Sequence, residues 1–276
     1  MKHDWRSILI NPMKKVGLFA GVVSLIALIT GCKVWQMVSA EVNQAAEMAA
    51  EPFRSVTIMT WNLHAGQGLD GVRDMARIAQ VIVREKPDLV ALQEVDRKTL
   101  RSDGIDQLAE LEKLTGLKSA WCKTIDYEGG EYGIALLSRD APVSVHRVEL
   151  PVTGEPRGLL LADFPRYRMG VTHLSLREKD RLASLPVLRT AIVDELPLFL
   201  AGDFNAVPES EFIQKLRLPF ALVSGFDKTY PADDPDRCID YIAVSRRHRA
   251  RFDKVEHRVV AETVFSDHRP VVVTFH

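Results

Sequence analysis

The sequence predicts an α/β protein with a mixed sheet, and three observations lead to this fold class. Apolar runs rich in β-branched residues alternate with segments of helical period in the first half of the chain. Short apolar runs then follow one another with only short turns between them, which is typical of antiparallel strands. The number of predicted strands fits two packed sheets with helices on more than one side. A chain of 276 residues with 46% hydrophobic content can form such a core.

The first predicted elements form a β-α-β series after Pro52. The segment "SVTIMTWN" is predicted to be a strand because of its β-branched content. The segment "VRDMARIAQVIVREK" has a helical period, and "DLVALQEV" is a second, buried strand. The segment "IDQLAELEKLTG" is predicted to be a helix that ends at Gly116. The apolar face of the first helix consists of Val72, Met75, Ile78, Ala79 and Ile82.

Strands dominate the rest of the chain. The segments "YGIALLSR", "VSVHRVEL", "RGLLLADF" and "YRMGVTHL" are predicted to form a meander. The segment "EKDRLASLPVLRTAIVDE" is predicted to be a helix that Pro186 breaks or kinks. The last strands are "PLFLAGDFN", "CIDYIAVS" and "RPVVVTF".

The N-terminal segment has the features of an export signal. Lys14 and Lys15 precede an uncharged apolar run that is shorter than the ~20 residues needed to span a bilayer. We therefore expect residues 1–31 to be a signal peptide that is cleaved before Cys32, with an uncleaved anchor helix as the alternative. Residues 32–52, rich in Ala and Glu, are expected to be a tether, and residues 53–276 the folded domain.

The cysteines bear on the location of the protein. The motif "ITGC" resembles the lipobox of bacterial lipoproteins, which implies that Cys32 is acylated and anchors an extracytoplasmic protein to the membrane. Lys33, where an Asp would be expected for retention at the inner membrane, favours the outer membrane. Cys122 and Cys238 either pair, which suits an oxidising compartment, or are two buried thiols.

The charge of the chain argues against a nucleic-acid-binding protein without excluding one. The formal net charge is −1, and it becomes −4 without residues 1–31, which carry +3. Binding to a phosphate backbone depends on Lys and Arg contacts, and a mildly acidic domain provides few of them.

Polar side chains collect at the ends of the predicted buried strands. A single one is usually a turn or capping residue, but ligands of layered α/β folds bind beyond the strand ends, where such side chains can converge. They are Asn62, Glu94, His173, Asp203, Asn205, Asp240, Asp267 and His268.

These residue types fit metal-assisted attack of water on phosphorus. A hard cation such as Mg²⁺ takes oxygen ligands, and Glu94 is the candidate principal carboxylate, with Asn62, Asp267 or Asp203 nearby. His173 and His268 offer proton transfer near neutral pH or donors to a phosphoryl group. Asp240 can fix the tautomer of His268, and Asn205 can hold a water or a phosphoryl oxygen. This chemistry needs neither a Ser or Cys nucleophile nor a Gly-rich loop.

Seven motifs occur in the order of one known family. The motifs "TWNLHAG", "LQEV", "YGIALLSR", "THL", "GDFNA", "IDYIAVS" and "SDHRPVVV" resemble those of the endonuclease/exonuclease/phosphatase superfamily, which has the deoxyribonuclease-I-like fold. The resemblance extends from Ser55 to His276. It implies a four-layer α/β sandwich, a catalytic domain at residues 53–276, and hydrolysis of phosphoesters that depends on Mg²⁺ or Mn²⁺.

The resemblance also implies roles for individual residues. Glu94 would be the main metal ligand, beside Asn62 and with help from Asp267. Asp203 would orient or deprotonate the attacking water, which Asn205 would position. His268, paired with Asp240, would act as a base or bind the scissile phosphate, and His173 would donate to the transition state or the leaving group.

Substrate contacts are predicted at two further residues. Tyr132 resembles a tyrosine on the substrate side of the rim, and Arg157 is a candidate phosphate contact or else a surface ion pair. The basic tract at residues 245–254 could meet an anionic substrate or lipid head groups, or form a solvated loop. Two departures weaken a nuclease assignment. Many relatives have Asn in a "GNA" step after the Gly of the "YG" motif, whereas this chain has Gly133-Ile134-Ala135, and His64 replaces an Asp of the abasic-site nucleases.

The sequence therefore leads to one main hypothesis and two alternatives. The main hypothesis is a membrane-tethered, metal-dependent phosphodiesterase or phosphatase that acts outside the cytoplasm as a monomer. Its substrate would be a lipid head group, a sugar phosphate or a nucleic acid. The alternatives are an extracytoplasmic nuclease and a non-catalytic binding lipoprotein with the same fold.

Overall fold

The computed structural model describes residues 55–276. The predictions for the signal peptide at 1–31, the tether at 32–52 and the acylation of Cys32 lie outside the described residues. Within residues 55–276, no helix is both long and apolar enough to cross a lipid bilayer.

The described residues form two six-stranded sheets. The strands are β1 Val56–Asn62, β2 Leu89–Arg97, β3 Lys118–Tyr127, β4 Gly130–Ser138, β5 Ser144–Leu150, β6 Arg157–Asp163, β7 Arg168–His173, β8 Leu198–Asp203, β9 Phe220–Leu222, β10 Asp240–Ser245, β11 Val255–Val259 and β12 Val271–Phe275. The strand order is β11-β12-β1-β2-β4-β3 in the first sheet and β5-β6-β7-β8-β10-β9 in the second. Each sheet is mixed, because β1 pairs in parallel with β2, and β7 with β8, whereas the other neighbours are antiparallel.

Four α-helices flank the sheets in the described part of the chain. The helix α1 (Met75–Glu85) is capped by Asp74, whose side chain accepts from the amide of Ala76. The helix α2 (Gln107–Thr115) ends at Gly116 in a left-handed conformation, as predicted. The helix α3 (Glu178–Thr190) runs through Pro186 without ending there, so of the two predicted effects of Pro186, a break or a kink, the break is wrong. The fourth, α4 (Glu211–Leu216), is a short helix that the sequence analysis did not predict.

Three apolar layers confirm the predicted four-layer sandwich. The central layer lies between the sheets and includes Phe199 and Phe275, whose rings lie 4.6 Å apart. A second layer joins the first sheet to α1 and α2, and it contains Trp61. A third layer joins the second sheet to α3 and α4. Val72, predicted on the buried face of the first helix, instead precedes α1 and is 48% exposed.

The predicted meander is divided between the two sheets. Strand β4 pairs with β2 and β3 in the first sheet, whereas β5, β6 and β7 are successive antiparallel strands of the second. The connection at residues 139–143 therefore passes from one sheet to the other. A run of neighbouring strands in the sequence does not specify which sheet each strand joins, and this explains the error.

The two cysteines of the described domain are free buried thiols. Cys122 packs in the layer between the sheets, and Cys238 packs on the outer side of the second sheet. Burial raises the pKa of both thiols, so they behave as small apolar side chains. The pairing that was one of the two alternatives is therefore wrong.

Candidate active site

The register of the second sheet brings three predicted residues together. His173 at the end of β7 lies opposite Asp203 at the end of β8. Asp240 at the start of β10 lies opposite Asp203 on its other side. Asn62 at the end of β1, in the first sheet, donates to the same Asp203 carboxylate at 3.2 Å. The packing of the two sheets thus places their polar strand ends at one site.

Glu94 reaches this site through a β-bulge. The register between β2 and β4 shifts between Leu92 and Val95, and Glu94 has a left-handed backbone with φ of 54°. The predicted segment ends at Val95, one residue after Glu94, but the strand continues to Arg97. The bulge makes room for the Glu94 side chain to accept a hydrogen bond from Asn62 Nδ2 at 2.9 Å, while the adjacent Gln93 is buried.

Asn62 orients two carboxylates at once. Its Nδ2 donates to Glu94 Oε1 and to Asp203 Oδ2, and its Oδ1 accepts from the amide of His64 at 3.0 Å. The residue is fully buried, so these bonds hold the amide in one orientation. Asn62 therefore fixes the distance between the carboxylates of Glu94 and Asp203.

His268 and Asp240 form a buried pair. The Nδ1 of His268 donates to Asp240 Oδ2 at 2.9 Å, and Thr229 Oγ1 donates to the same oxygen at 2.6 Å. Burial alone lowers the pKa of His268, but the neighbouring carboxylates of Asp240, Asp203 and Asp267 outweigh it and raise the pKa. His268 is therefore a charged donor at neutral pH, and its Nε2 lies 3.8 Å from Asp203 Oδ2.

Asp203 lies at the centre of the site. Burial, and then the charge of Asp240, raise the pKa of its carboxyl group, whereas His268, the amide of Asn205 and Asn62 oppose this shift. Its Oδ1 accepts from the amide of Asn205 at 2.8 Å. The preceding Gly202 is required by the packing of β7, because a Cβ there would lie 1.9 Å from the carbonyl oxygen of Thr172.

His173 is held in one tautomer between Asp203 and Arg157. An arginine can only donate, so the contact of 3.2 Å between Arg157 Nη1 and His173 Nδ1 makes Nδ1 the acceptor. The proton then lies on Nε2, 3.4 Å from Asp203 Oδ2. Burial, and then the charges of Arg157 and His268, lower the pKa of His173 well below its usual value. This histidine is therefore a neutral donor.

Two further predicted residues complete the floor of the site. Asn205 has a left-handed backbone with φ of 49°, and its Nδ2 donates to the carbonyl of Leu174. Asp267 is partly exposed and lies 3.9 Å from His64 Nδ1. Ser266, which the sequence analysis missed, holds this segment against β1 by donating to the carbonyl of Asn62 at 2.7 Å. A hydroxyl in a loop gives no spacing signal from which it could have been found.

The two predicted substrate contacts are more buried than expected. Tyr132 on β4 is only 8% exposed, with Arg101 over its ring, and the charge of Glu94 adds to burial in raising its pKa. Arg157 forms an ion pair with Glu155 at 2.8 Å, in which the arginine is buried and the glutamate is exposed. Its Nε has no hydrogen-bond partner among the described residues.

The basic tract does not reach the site. Residues Arg246–Arg251 form a 3₁₀-helix at the far end of β10 from Asp240. A six-residue strand spans roughly 17–20 Å, which separates the tract from the polar groups at the other end of β10. Several of its arginines are occupied: Arg247 pairs with Asp194, and Arg246 donates to the carbonyl of Arg217.

The donor set fits a hard divalent cation. Asp203, Asp240 and His268 each offer a ligand atom, and these atoms lie within 4.8 Å of one another. Glu94 has no ion-pair partner among residues 55–276, although it is half-buried. Oxygen-rich sites of this kind suit Mg²⁺ or Mn²⁺ rather than a soft metal.

This combination of two packed mixed sheets with carboxylates, amides and histidines at one end defines a class of phosphoester hydrolases. Residues 59–268 match the family model described as Endonuclease/Exonuclease/phosphatase family. The chain belongs to this family, whose members generally use a divalent metal. Among curated proteins, none matches the sequence.

Solved structures share the fold. An endonuclease/exonuclease/phosphatase from Beutenbergia cavernae is 26% identical, with a TM-score of 0.64, and the match covers 81% of this chain and 72% of that one. A mannosyl-6-phosphatase from Bacteroides thetaiotaomicron is 19% identical, with a TM-score of 0.63 and coverage of 80% and 99%. A humanized D. rerio TDP2 has the same identity, TM-score and coverage.

Proposed function

We propose that the protein is a Mg²⁺- or Mn²⁺-dependent hydrolase in which water attacks the phosphorus of a phosphoester. One observation carries the proposal. Three nitrogen atoms, from Asn62, His173 and His268, converge within 3.8 Å on a single oxygen of Asp203. A buried carboxylate of raised pKa surrounded by donors is suited to accept a proton from water while the donors bind an anionic phosphoryl group.

Glu94 and Asp267 are the side chains that we expect to hold the metal. Glu94 is half-buried, it has no ion-pair partner among the described residues, and Asn62 orients its carboxylate. The alternative set of metal ligands is Asp203, Asp240 and His268. In this set, His268 Nδ1 already bonds to Asp240 Oδ2, and the charged His268 ring is a poor metal ligand. A bound divalent ion would stabilise charge on the phosphoryl oxygens and lower the pKa of a bound water.

The other residues of the site have separate roles in the reaction. Asp203 accepts the proton of the attacking water, and Asn205 positions that water. Charged His268 donates to a phosphoryl oxygen, and Asp240 holds its ring in place. Neutral His173 donates through Nε2 to a phosphoryl oxygen or to the leaving group.

Arg157 and Tyr132 complete the phosphate pocket in this proposal. Both are mostly buried next to catalytic residues, with Arg157 against His173 and Tyr132 near Glu94. The likeness to a mannosyl-6-phosphatase supports activity on a monoester. The complete set of polar groups argues against a non-catalytic binding protein.

Removal of the metal tests this function. With p-nitrophenyl phosphate and its bis-ester as substrates, EDTA is expected to lower the rate by at least about 100-fold, because metal assistance contributes several kcal/mol. An excess of Mg²⁺ or Mn²⁺ should restore the rate. Hydrolysis that is equally fast in EDTA, in protein shown to be metal-free, would contradict the metal requirement.

We further propose that the protein is exported and lipid-anchored, as a monomer, to the outer membrane. The support is the sequence of residues 1–31, the motif that ends at Cys32, and Lys33. Fractionation of cells is expected to place the full chain with membranes, and Cys32→Ser should prevent labelling by a radioactive fatty acid. A Cys32→Ser protein that is labelled as strongly as the wild type would contradict acylation at this cysteine.

A further inference from the structure

A groove opens beside the water-positioning residue. Its volume is roughly 610 Å³, and Asn205 forms part of its wall. Ligand pockets for small molecules have volumes of about 300–1,000 Å³. The groove therefore has the size to hold the alcohol portion of a small phosphoester whose phosphate lies at Asp203.

The groove has a strong hydrogen-bond donor in Arg181. This arginine on α3 is 7% exposed, and its Nη1 donates to the carbonyls of Ser175 and Leu176. Its Nε is buried without a hydrogen-bond partner, and the guanidinium has no ion-pair partner among the described residues. Arg237 adds a second guanidinium to the lining, although it pairs with Asp236.

Acceptors outnumber these donors. Glu178, Glu209 and Glu211 line the same groove, so its formal charge is −1 with the two arginines included. Glu209 is exposed and has no ion-pair partner in residues 55–276, whereas Glu211 pairs with Lys215. Apolar contact surface comes from Leu176, Val207 and Ile239.

This lining discriminates between classes of substrate. A polynucleotide would place further phosphates beside three glutamates, and among residues 55–276 no aromatic side chain on which a base could stack lines the groove. A quaternary ammonium group is usually bound by aromatic side chains, whereas the described part of the chain contributes none to this lining, and the ammonium group would face Arg181. Hydroxyl groups both donate to carboxylates and accept from guanidinium groups.

We propose, on the basis of the hydrolase function inferred above, that this groove binds a small hydroxyl-rich alcohol, and hence that the substrate is a sugar or polyol phosphate. The carboxylates accept from the hydroxyl groups, Arg181 donates to them, and the apolar side chains contact the C–H faces of the ring or chain. The phosphate projects past Asn205 toward Asp203.

The test compares four substrates of the full chain in Mg²⁺. They are glucose 6-phosphate, inositol 1-phosphate, phosphocholine and the p-nitrophenyl ester of thymidine 5′-monophosphate, with p-nitrophenyl phosphate as a reference without hydroxyl groups. We expect one of the first two to have the highest kcat/KM. We also expect Glu209→Gln to raise the KM for that substrate about tenfold, the effect of one lost charge-assisted hydrogen bond, and to raise it more than the KM for p-nitrophenyl phosphate, which has no hydroxyl group.

The control is Glu149→Gln. Glu149 is an exposed residue on the edge strand β5 that does not line the groove, so this substitution should alter the KM for neither substrate. Faster hydrolysis of phosphocholine or of the nucleotide ester than of both polyol phosphates would overturn the inference. So would a Glu209→Gln protein with an unaltered KM for the preferred polyol phosphate. In either case, continued Mg²⁺-dependent hydrolysis of p-nitrophenyl phosphate would leave the proposed function intact. Hydrolysis of none of the five would overturn the proposed function and the inference with it.

Discussion

Asp203→Asn is expected to lower kcat by about 10³-fold, which is within the range of general acid–base catalysis. The substitution keeps the size of the side chain and its place among three donor nitrogens, but an amide cannot accept the proton of the attacking water. KM should change little, because His173, His268 and Arg157, the proposed donors to the phosphate, are retained. Steady-state hydrolysis of p-nitrophenyl phosphate in saturating Mg²⁺ measures both constants.

Asp126→Asn is the matched control for this variant. The Asp126 side chain is 82% exposed, and it pairs with Lys123 on β3. The kcat of the Asp126→Asn protein should equal that of the wild type. A folded Asp203→Asn protein that retains more than about a tenth of the wild-type kcat would exclude Asp203 as the base.

Glu94→Gln is expected to raise the Mg²⁺ concentration for half-maximal activity by about 100-fold or more. Changes in residues that merely orient metal ligands reduce affinity about 10–100-fold, and the loss of a ligand carboxylate should exceed that effect. The amide can still bond to Asn62, so the bulge in β2 should keep its shape. A Mg²⁺ titration of the initial rate gives this concentration, with Glu149→Gln as the control.

The opposite outcome would identify the other metal site. If Glu94→Gln leaves the Mg²⁺ requirement unchanged and Asp240→Asn raises it, the ion is held by Asp203, Asp240 and His268, whose ligand atoms lie within 4.8 Å of one another. The role of Glu94 as the principal ligand would then be wrong.

The central strands of both sheets were predictable, whereas the edge strands, apart from β5, were not. Central strands such as β8 are buried on both faces and appear as unbroken apolar runs. Strands β3, β9 and β11 were missed, and each forms an edge of its sheet. Edge strands are partly exposed, so β11 has three exposed residues out of five and no apolar pattern.

The residue types of the site were predictable because they interrupt apolar runs. Asp203 is the last residue of a fully buried strand and Asn205 follows two residues later, so both interrupt an apolar run. Their partners could not be deduced in the same way. The bulge at Glu94 depends on pairing with β4, and the contact of Arg157 with His173 depends on the pairing of β6 with β7. Long-range pairings of this kind have no local signature.

Phosphate release by the wild type, Asp203→Asn and Glu94→Gln over a range of Mg²⁺ concentrations tests the central claim most directly. The account predicts that the wild type is active only with metal, that Asp203→Asn stays slow at every Mg²⁺ concentration, and that Glu94→Gln recovers activity as Mg²⁺ rises. Folded variants that both match the wild type at every Mg²⁺ concentration would show that the strand-end residues are not the catalytic site.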